Sequence, residues 1–388
     1  MLAGLSSMSS VAGSMSSKPG WPPSYLDLAN PALAAALREL LAGAGESAAG
    51  FPAAVLAETL ARDSALLAGI AAYRRHPWQR VMEDPPAIWA EGGSRLLDFG
   101  GAGRPMLFVP SLVNRATVLD LAPGQSMLRW MVGQGRRALL LDWGWPGPVE
   151  RGFDLTAYVA GRLERAVAAV GEPVLLVGYC MGGLLALGAT LRRPDRVAGL
   201  ALLATPWDFH AGAAERGPQA AALLAMLEPA MAFGGALPID ALQTLFALLD
   251  PWGVGEKYRR FGHMDQASAR AAMFVAVEDW LNDGVPLAAP VARQVLSGWY
   301  GENQPARGTW RIAGEVMDPA RVAVPHFVAI PARDRIVPPE SAEALARALP
   351  GATVHRPAAG HVGMVAGSGA QRALWQPLLA WGDGLNKS

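Results

Sequence analysis

The chain has 388 residues, of which 52% are hydrophobic and 17% are charged, so it is long enough to bury a large core as one domain with an insertion or as two modest domains. Basic and acidic residues number 33 each, and this formal net charge of zero excludes the overall electrostatic signature of a nucleic-acid-binding protein. A single cysteine excludes an intrachain disulfide and a thiolate metal cluster.

The N-terminal sequence favours neither export nor insertion into a membrane. Residues 1–25 are rich in Ser, Gly and Met and lack the charged start and uninterrupted apolar stretch of a secretory signal, so we predict a disordered tail there. No apolar run in the sequence reaches the roughly 18–20 residues that cross a bilayer. We therefore expect a cytoplasmic protein with no membrane span.

The next part of the chain has a helical composition. Ala, Leu and Glu dominate from Asn30 to Tyr73, with one interruption between Gly43 and Phe51, which indicates two helices. We predict an N-terminal helical region over residues 26–84.

After this region, short apolar runs alternate with helical segments. The runs are SRLLDF, PMLFVP, ALLLDW, PVLLVG, GLALLA and HFVAIPA. Most are continuously apolar, as is typical of parallel strands covered on both faces. The alternation predicts an α/β fold, with a doubly wound, mostly parallel sheet over residues 85–209 and 319–388.

Residues 210–318 interrupt that alternation. They are rich in Ala, Leu, Met and Trp, contain turn signals at DPWGVG and NDGVP, and include no convincing strand run. We predict that they form an inserted, mainly helical cap.

The only cysteine lies in a catalytic motif. PVLLVG predicts a buried strand, YCMGG a tight turn and LLALGATLRR a helix, so Gly178-Tyr179-Cys180-Met181-Gly182 matches the G-x-S-x-G nucleophile elbow with cysteine in place of serine. The glycines at 178 and 182 suit a turn that leaves no room for side chains. The N-terminus of the following helix favours a thiolate. We predict that Cys180 is a nucleophile.

A nucleophilic thiol needs a base and an acidic residue that orients the base. In proteins that have this nucleophile elbow, the acid follows the nucleophile in the chain and the histidine comes last. Of the six histidines, His361 alone lies in a small-residue loop after the last predicted strand, TVHRPA, and we predict that it is the general base. Asp334 follows the strand HFVAIPA and is the preferred acid. Asp208, which follows another strand, is the alternative.

The developing oxyanion needs N–H donors. In this type of elbow one donor is the backbone N–H of the residue after the nucleophile, here Met181. The second comes from the loop after PMLFVP, at Leu112 or Val113. No residue pattern indicates a metal site.

Several segments, in order from about Arg95 to Trp381, together resemble the polyhydroxyalkanoate synthase family of the α/β-hydrolase superfamily. They are FVPSLVNRATVLDLAPGQSMLRWMVGQG, LLLDWGWP, LVGYCMGG, TPWDF, IPARDRIVPP and GHVGMVAG. The compact size is similar to the short-subunit synthases, which work with a second, non-catalytic subunit. One position departs from the family pattern, because Arg335 follows Asp334 where family members commonly have His.

The resemblance implies a catalytic role for the three predicted residues. Cys180 would receive a 3-hydroxyacyl group from coenzyme A and carry the growing chain as a thioester. His361, alone or with Asp334, would activate the thiol and the attacking 3-hydroxyl. The acyl-CoA is a substrate and no cofactor is implied. The expected partners are the polyester chain or the surface of its cytoplasmic granule, with a second synthase subunit and a homodimer left open.

Two other functions stay open at this point. The first is a cysteine hydrolase, such as an esterase, a thioesterase or a dienelactone-hydrolase-like enzyme, in which water attacks the same acyl-enzyme. The second is a non-catalytic, synthase-like protein that binds granules or a catalytic partner. The presence of Cys180, Asp334 and His361 argues against the second function.

Overall fold

The computed structural model describes residues 51–212, 216–249 and 251–385. The predicted disordered tail and residues 26–50 of the predicted N-terminal helical region lie outside these residues. In the part of the chain that is described, no helix combines the length and apolar character needed to cross a membrane.

The centre of the fold is an eight-stranded sheet. Its strands in chain order are β1 (Ala87–Glu91), β2 (Ser94–Asp98), β3 (Met106–Val109), β4 (Ala138–Asp142), β5 (Val174–Tyr179), β6 (Val197–Leu203), β7 (His326–Ala329) and β8 (Thr353–His355). They lie side by side in the order β1-β2-β4-β3-β5-β6-β7-β8. The pairs β1–β2 and β2–β4 are antiparallel and the others are parallel, which confirms the predicted mostly parallel, doubly wound sheet.

The apolar runs explain why the middle of this sheet forms. All residues of β3, β4 and β5 are buried, as expected for strands with helices on both faces. The sequence AIWAE of β1 was not predicted as a strand. Three of its five residues are exposed and two are half-buried, and it pairs with β2 at the edge of the sheet.

Helices connect and cover the strands. In chain order they are α1 (Phe51–Arg75), α2 (Met127–Gly133), α3 (Glu164–Ala169), α4 (Met181–Arg192), α5 (Arg216–Gly234), α6 (Ile239–Leu249), α7 (Pro251–Gly262), α8 (Ala269–Asn282), α9 (Ala289–Arg293), α10 (Pro339–Ala348), α11 (Gly363–Ala366) and α12 (Gln376–Gly384). Three π-helical segments adjoin α3, α9 and α12, namely Ala157–Leu163, Gln294–Gly301 and Gln371–Trp375.

The chain divides into two compact units. The first comprises residues 1–78 and 250–275, and within its described part α1 packs along α7 around a small core that includes Phe261 and Val275. The second comprises residues 79–249 and 276–388 and contains the eight-stranded sheet. The predicted limits of the helical cap at residues 210 and 318 stay a prediction.

Candidate active site

Cys180 occupies the sharp turn between β5 and α4. Its backbone has φ 56° and ψ −129°, a conformation that residues with a side chain rarely adopt. Its N–H donates a hydrogen bond to the carbonyl of Leu203, at the end of the neighbouring strand β6, with a length of 2.8 Å. The strained residue is thus fixed at the carboxyl edge of the sheet, with its partly buried thiol at the N-terminus of α4.

Three glycines make this turn possible because neighbouring atoms lie too close to leave room for side chains. A Cβ at Gly178 would lie 2.4 Å from the Cα of Gly183, and one at Gly182 would lie 2.1 Å from the carbonyl oxygen of Val109. A Cβ at Gly183 would lie 1.9 Å from Oγ1 of Thr205. The first two glycines were predicted from the motif. The requirement at Gly183 depends on a contact with a distant residue and has no signal in the motif.

His361 and Asp334 meet at the same edge of the sheet. The distance between Nδ1 of His361 and Oδ2 of Asp334 is 2.7 Å, and both residues are buried. The pairing of β7 with β8 continues beyond the strands into the two loops that carry these residues. Three backbone hydrogen bonds extend it, from Ile330 to His355, from Ala332 to Pro357 and from Arg333 to Ala359. The register of the sheet therefore brings together two residues that are 27 positions apart in the sequence.

The carboxylate of Asp334 is held on both oxygens. Oδ1 accepts hydrogen bonds from the backbone N–H groups of Ile336 and Val337, each 2.9 Å long, and Oδ2 faces His361. These two N–H groups fix the carboxylate plane. The carboxylate can in turn fix the orientation of the imidazole and leave its Nε2 toward the thiol.

His361 interacts electrostatically with Cys180. Burial lowers the pKa of His361, but the electrostatic interaction with Cys180, together with hydrogen bonds to Asp334 and Cys180, raises this pKa from 6.5 to about 10. The structure therefore brings Cys180, His361 and Asp334 together, and this arrangement favours the protonated form of His361.

Tyr179 is a neighbour of the site that the sequence did not reveal. Its ring lies 5.1 Å from the ring of His361, and its hydroxyl donates a hydrogen bond of 3.3 Å to the carbonyl of that histidine. Burial, with the charges of Cys180 and Asp334, raises the pKa of Tyr179 well above 10, so the phenol stays a donor. Because Tyr179 fills the variable position of the elbow motif, no pattern could have indicated this contact.

The predicted oxyanion donors lie on two adjacent segments. Met181 is the first residue of α4, where N–H groups have no partner within the helix. Leu112 and Val113 belong to the loop after β3, and the close approach of Gly182 to Pro110 places this loop against the first turn of α4. The N–H of Val113 points to Oγ of Ser111 at 3.4 Å, whereas that of Leu112 has no acceptor among the described residues.

The alternative acid and the other histidines have different partners. Asp208 accepts hydrogen bonds from the backbone of His210 and from the side chain of Asn303, as in a turn. Four other histidines face backbone carbonyls, namely His76, His210, His326 and His355. His263 is exposed, as is Arg335. In the residues that the structure describes, no three His, Cys, Asp or Glu side chains are arranged to hold a metal ion.

A groove of about 580 Å³ lies at the end of the sheet opposite to Cys180. Its lining includes His326 at the start of β7 and Trp381 of α12. Because β5 and β7 run parallel to β6, this groove is at the amino ends of the strands and the triad is at their carboxyl ends. The groove is therefore separate from the site around Cys180.

Comparisons with known proteins identify the family of the chain. Residues 154–367 match the family described as the alpha/beta hydrolase fold. The chain is 29% identical to the poly(3-hydroxyalkanoate) polymerase subunit PhaC of Haloferax mediterranei, over 71% of this chain and 58% of that protein. It is also 29% identical to the subunit of the same name from Synechocystis sp., over 71% of this chain and 77% of that one. The resemblance to the polyhydroxyalkanoate synthases is thereby confirmed.

A solved structure shows the same fold. An epoxide hydrolase from Bacillus megaterium matches with a TM-score of 0.50 and 15% sequence identity, covering 78% of this chain and all of that one. The predicted α/β-hydrolase fold is thus confirmed by the sheet, by the family match and by this structure.

Proposed function

Because the chain belongs to the alpha/beta hydrolase fold family, we propose that Cys180, His361 and Asp334 form its catalytic triad and that the protein is a polyhydroxyalkanoate synthase-like acyltransferase. The observation that supports the proposal best is the buried His361–Asp334 pair, whose imidazole interacts with the elbow cysteine. The names of the relatives supply the product, a poly(3-hydroxyalkanoate), which is a polyester. The substrate class, a 3-hydroxyacyl-CoA, is the one that the resemblance to the synthase family implies.

In the loading step, the sulfur of Cys180 attacks the carbonyl carbon of the acyl-CoA. The negative charge on the carbonyl oxygen is stabilised by the N–H of Met181 and by an N–H of the loop that contains Leu112 and Val113. The bond from the carbonyl carbon to the sulfur of coenzyme A then breaks, and the imidazolium of His361 protonates the leaving thiolate. The acyl group is now a thioester on Cys180.

In the transfer step, a 3-hydroxyl group attacks the carbonyl carbon of this thioester. His361 accepts the hydroxyl proton as the new ester bond forms and becomes an imidazolium, and the carbon–sulfur bond breaks to release Cys180 as a thiolate, ready for the next loading step. Asp334 keeps the imidazole in the orientation that both proton transfers need. Attack by water instead of the hydroxyl would give hydrolysis, so the identity of the acceptor separates the proposed activity from its hydrolase alternative.

The test is release of coenzyme A from 3-hydroxybutyryl-CoA by the purified full chain. Coenzyme A is quantified by chromatography, and polymer is followed by turbidity in the same reaction. We expect release with polymer, lost in Cys180→Ala and reduced by about a thousandfold in His361→Gln. The matched control is His355→Gln, because His355 contacts a backbone carbonyl and lies outside the triad.

Each outcome identifies a different function. Release that yields free 3-hydroxybutyrate without polymer, and that requires Cys180, identifies a thioesterase. Release that is unchanged in Cys180→Ala contradicts the proposed mechanism. A defect in His355→Gln as large as that in His361→Gln contradicts the assignment of the base.

A further inference from the structure

We propose that two tryptophans, Trp143 and Trp280, are positioning residues that hold the oxyanion loop in its catalytic conformation. The oxyanion loop is defined here as residues 110–115, between β3 and the helical turn Ala116–Leu119. This inference depends on the proposed function, because the loop matters only if an oxyanion forms beside Leu112 or Val113.

The two indoles bind the two ends of the oxyanion loop. Nε1 of Trp143, which directly follows β4, donates a hydrogen bond of 3.0 Å to the carbonyl of Pro110. Nε1 of Trp280, in α8, donates one of 2.7 Å to the carbonyl of Arg115. Both tryptophans are buried, at 6% and 8% exposure, so each bond is protected from exchange with water.

The middle of the loop is held by backbone contacts with the segment after α8. Asn114 and Gly284 form an antiparallel bridge, and the N–H of Val285 donates a hydrogen bond of 3.1 Å to the carbonyl of Val113. On its other side the loop lies against Gly182 of the elbow. The loop is therefore fixed between the nucleophile helix and α8, and replacement of either tryptophan by phenylalanine removes an indole bond to one of its ends.

The distinction between a positioning role and a general structural role can be measured on Cys180 itself. Acylation by p-nitrophenyl butyrate passes through an oxyanion and releases p-nitrophenol, so its rate depends on the loop. Alkylation by iodoacetamide displaces iodide without forming an oxyanion, so its rate reports only the thiolate and its accessibility. The ratio of the two rates isolates the contribution of the oxyanion loop.

The variants are Trp143→Phe and Trp280→Phe, which keep an aromatic ring and remove the N–H donor. We expect the acylation rate to fall about three- to tenfold in each variant, as for the loss of one buried hydrogen bond. The alkylation rate is expected to stay within about twofold of the wild type. The matched control is Trp310→Phe, because the indole N–H of this buried tryptophan has no hydrogen-bond partner among the described residues.

The outcomes separate this inference from the proposed function. If the wild-type chain is alkylated at Cys180 but is not acylated there, the proposed function is wrong. If the wild type is acylated and both variants keep its ratio of rates, or if Trp310→Phe lowers that ratio equally, the positioning role is wrong. Because the two tryptophans lie on different elements, a variant that does not fold leaves the other to decide the question.

Discussion

The ionisation of His361 links the chemistry of the site to its structure. The imidazole lies between Asp334 and Cys180, and its pKa is raised despite its burial. Of the contributions that raise it, the charge of Cys180 is the largest. In the proposed loading step, the protonated imidazole is the form of His361 that can donate a proton to the leaving thiolate of coenzyme A.

Removal of the thiol therefore tests this arrangement. In Cys180→Ala we expect the pKa of His361 to fall below its wild-type value, because burial still favours the neutral ring while the largest of the contributions that raise this pKa is gone. Titration of the imidazole nitrogens by NMR, assigned with His361→Gln, measures the change. Identical titration of His361 in the wild type and in Cys180→Ala would show that the two side chains do not interact.

The raised pKa of His361 also predicts how the stability of the folded protein depends on pH. The pKa of His361 is higher in the folded protein, about 10, than the usual 6.5, so the folded state binds this proton more tightly. The resulting stabilisation is fully present below pH 6.5 and is lost as the pH rises from there toward 10. The difference in free energy of unfolding between the wild type and His361→Gln should decrease over that interval, as measured by urea denaturation.

At the scale of elements, the elbow connects β5, α4 and the oxyanion loop. Gly182 touches the backbone of Val109 and Pro110, so it sets the distance between the nucleophile helix and that loop. Backbone atoms cannot rotate away as a flexible side chain can. The close packing of α4 against the end of β3 is therefore a requirement of the site as well as of the fold.

The close packing around Gly182 predicts that alanine substitutions at two glycines of α4 have different effects. In Gly182→Ala the new Cβ would lie 2.1 Å from the carbonyl oxygen of Val109, so we expect a loss of about 3 kcal/mol of stability or more and a fall in acylation of at least about a hundredfold. In Gly188→Ala the nearest atom is a side-chain carbon of Val159 at 3.1 Å, and the gain in helix propensity offsets the crowding. Thermal unfolding and the rate of p-nitrophenol release distinguish the two variants. Equal behaviour would contradict the proposed role of the contact.

The sequence was informative about elements whose pattern is local. The buried runs of β3 to β7 and the elbow at Cys180 follow from consecutive residues, and the order of acid and histidine along the chain indicated Asp334 and His361. The edge strand β1 was not predicted, because its residues are exposed or half-buried and do not form a continuous apolar run. The contacts of Tyr179 and Trp280 could not be predicted, because they join residues that are 182 and 165 positions apart in the chain. No periodicity in the sequence encodes such pairs.

At the scale of the whole unit that contains the sheet, a network of buried polar side chains extends from Arg162 and Glu150 through β2 to Trp143. Arg162 and Glu150 form an ion pair of 3.0 Å, with their side chains only 3% and 5% exposed. Arg162 also donates a hydrogen bond of 3.1 Å to Oγ of Ser94, whose hydroxyl donates to the carbonyl of Trp143 at 2.9 Å. Since Trp143 contacts the oxyanion loop through its indole, the network supports this loop indirectly, by fixing the position of Trp143.

The network predicts a large effect on stability from one substitution. Arg162→Met leaves Glu150 as a buried charge without its partner, so we expect a loss of about 3–5 kcal/mol in the free energy of unfolding. The matched control is Arg193→Met, which breaks an ion pair with Asp195 whose side chains are 36% and 59% exposed, and we expect a change within about 0.5 kcal/mol.

Urea denaturation of both variants measures these losses, and acylation at a temperature where Arg162→Met is still folded measures the effect on the site. Because Trp143 keeps its own bond to Pro110 in this variant, acylation should fall less than in Trp143→Phe. Similar stability of the two arginine variants would show that the buried pair contributes no more than a surface pair. Loss of acylation in folded Arg162→Met beyond that in Trp143→Phe would show that the network, rather than the indole bond, determines the position of the oxyanion loop.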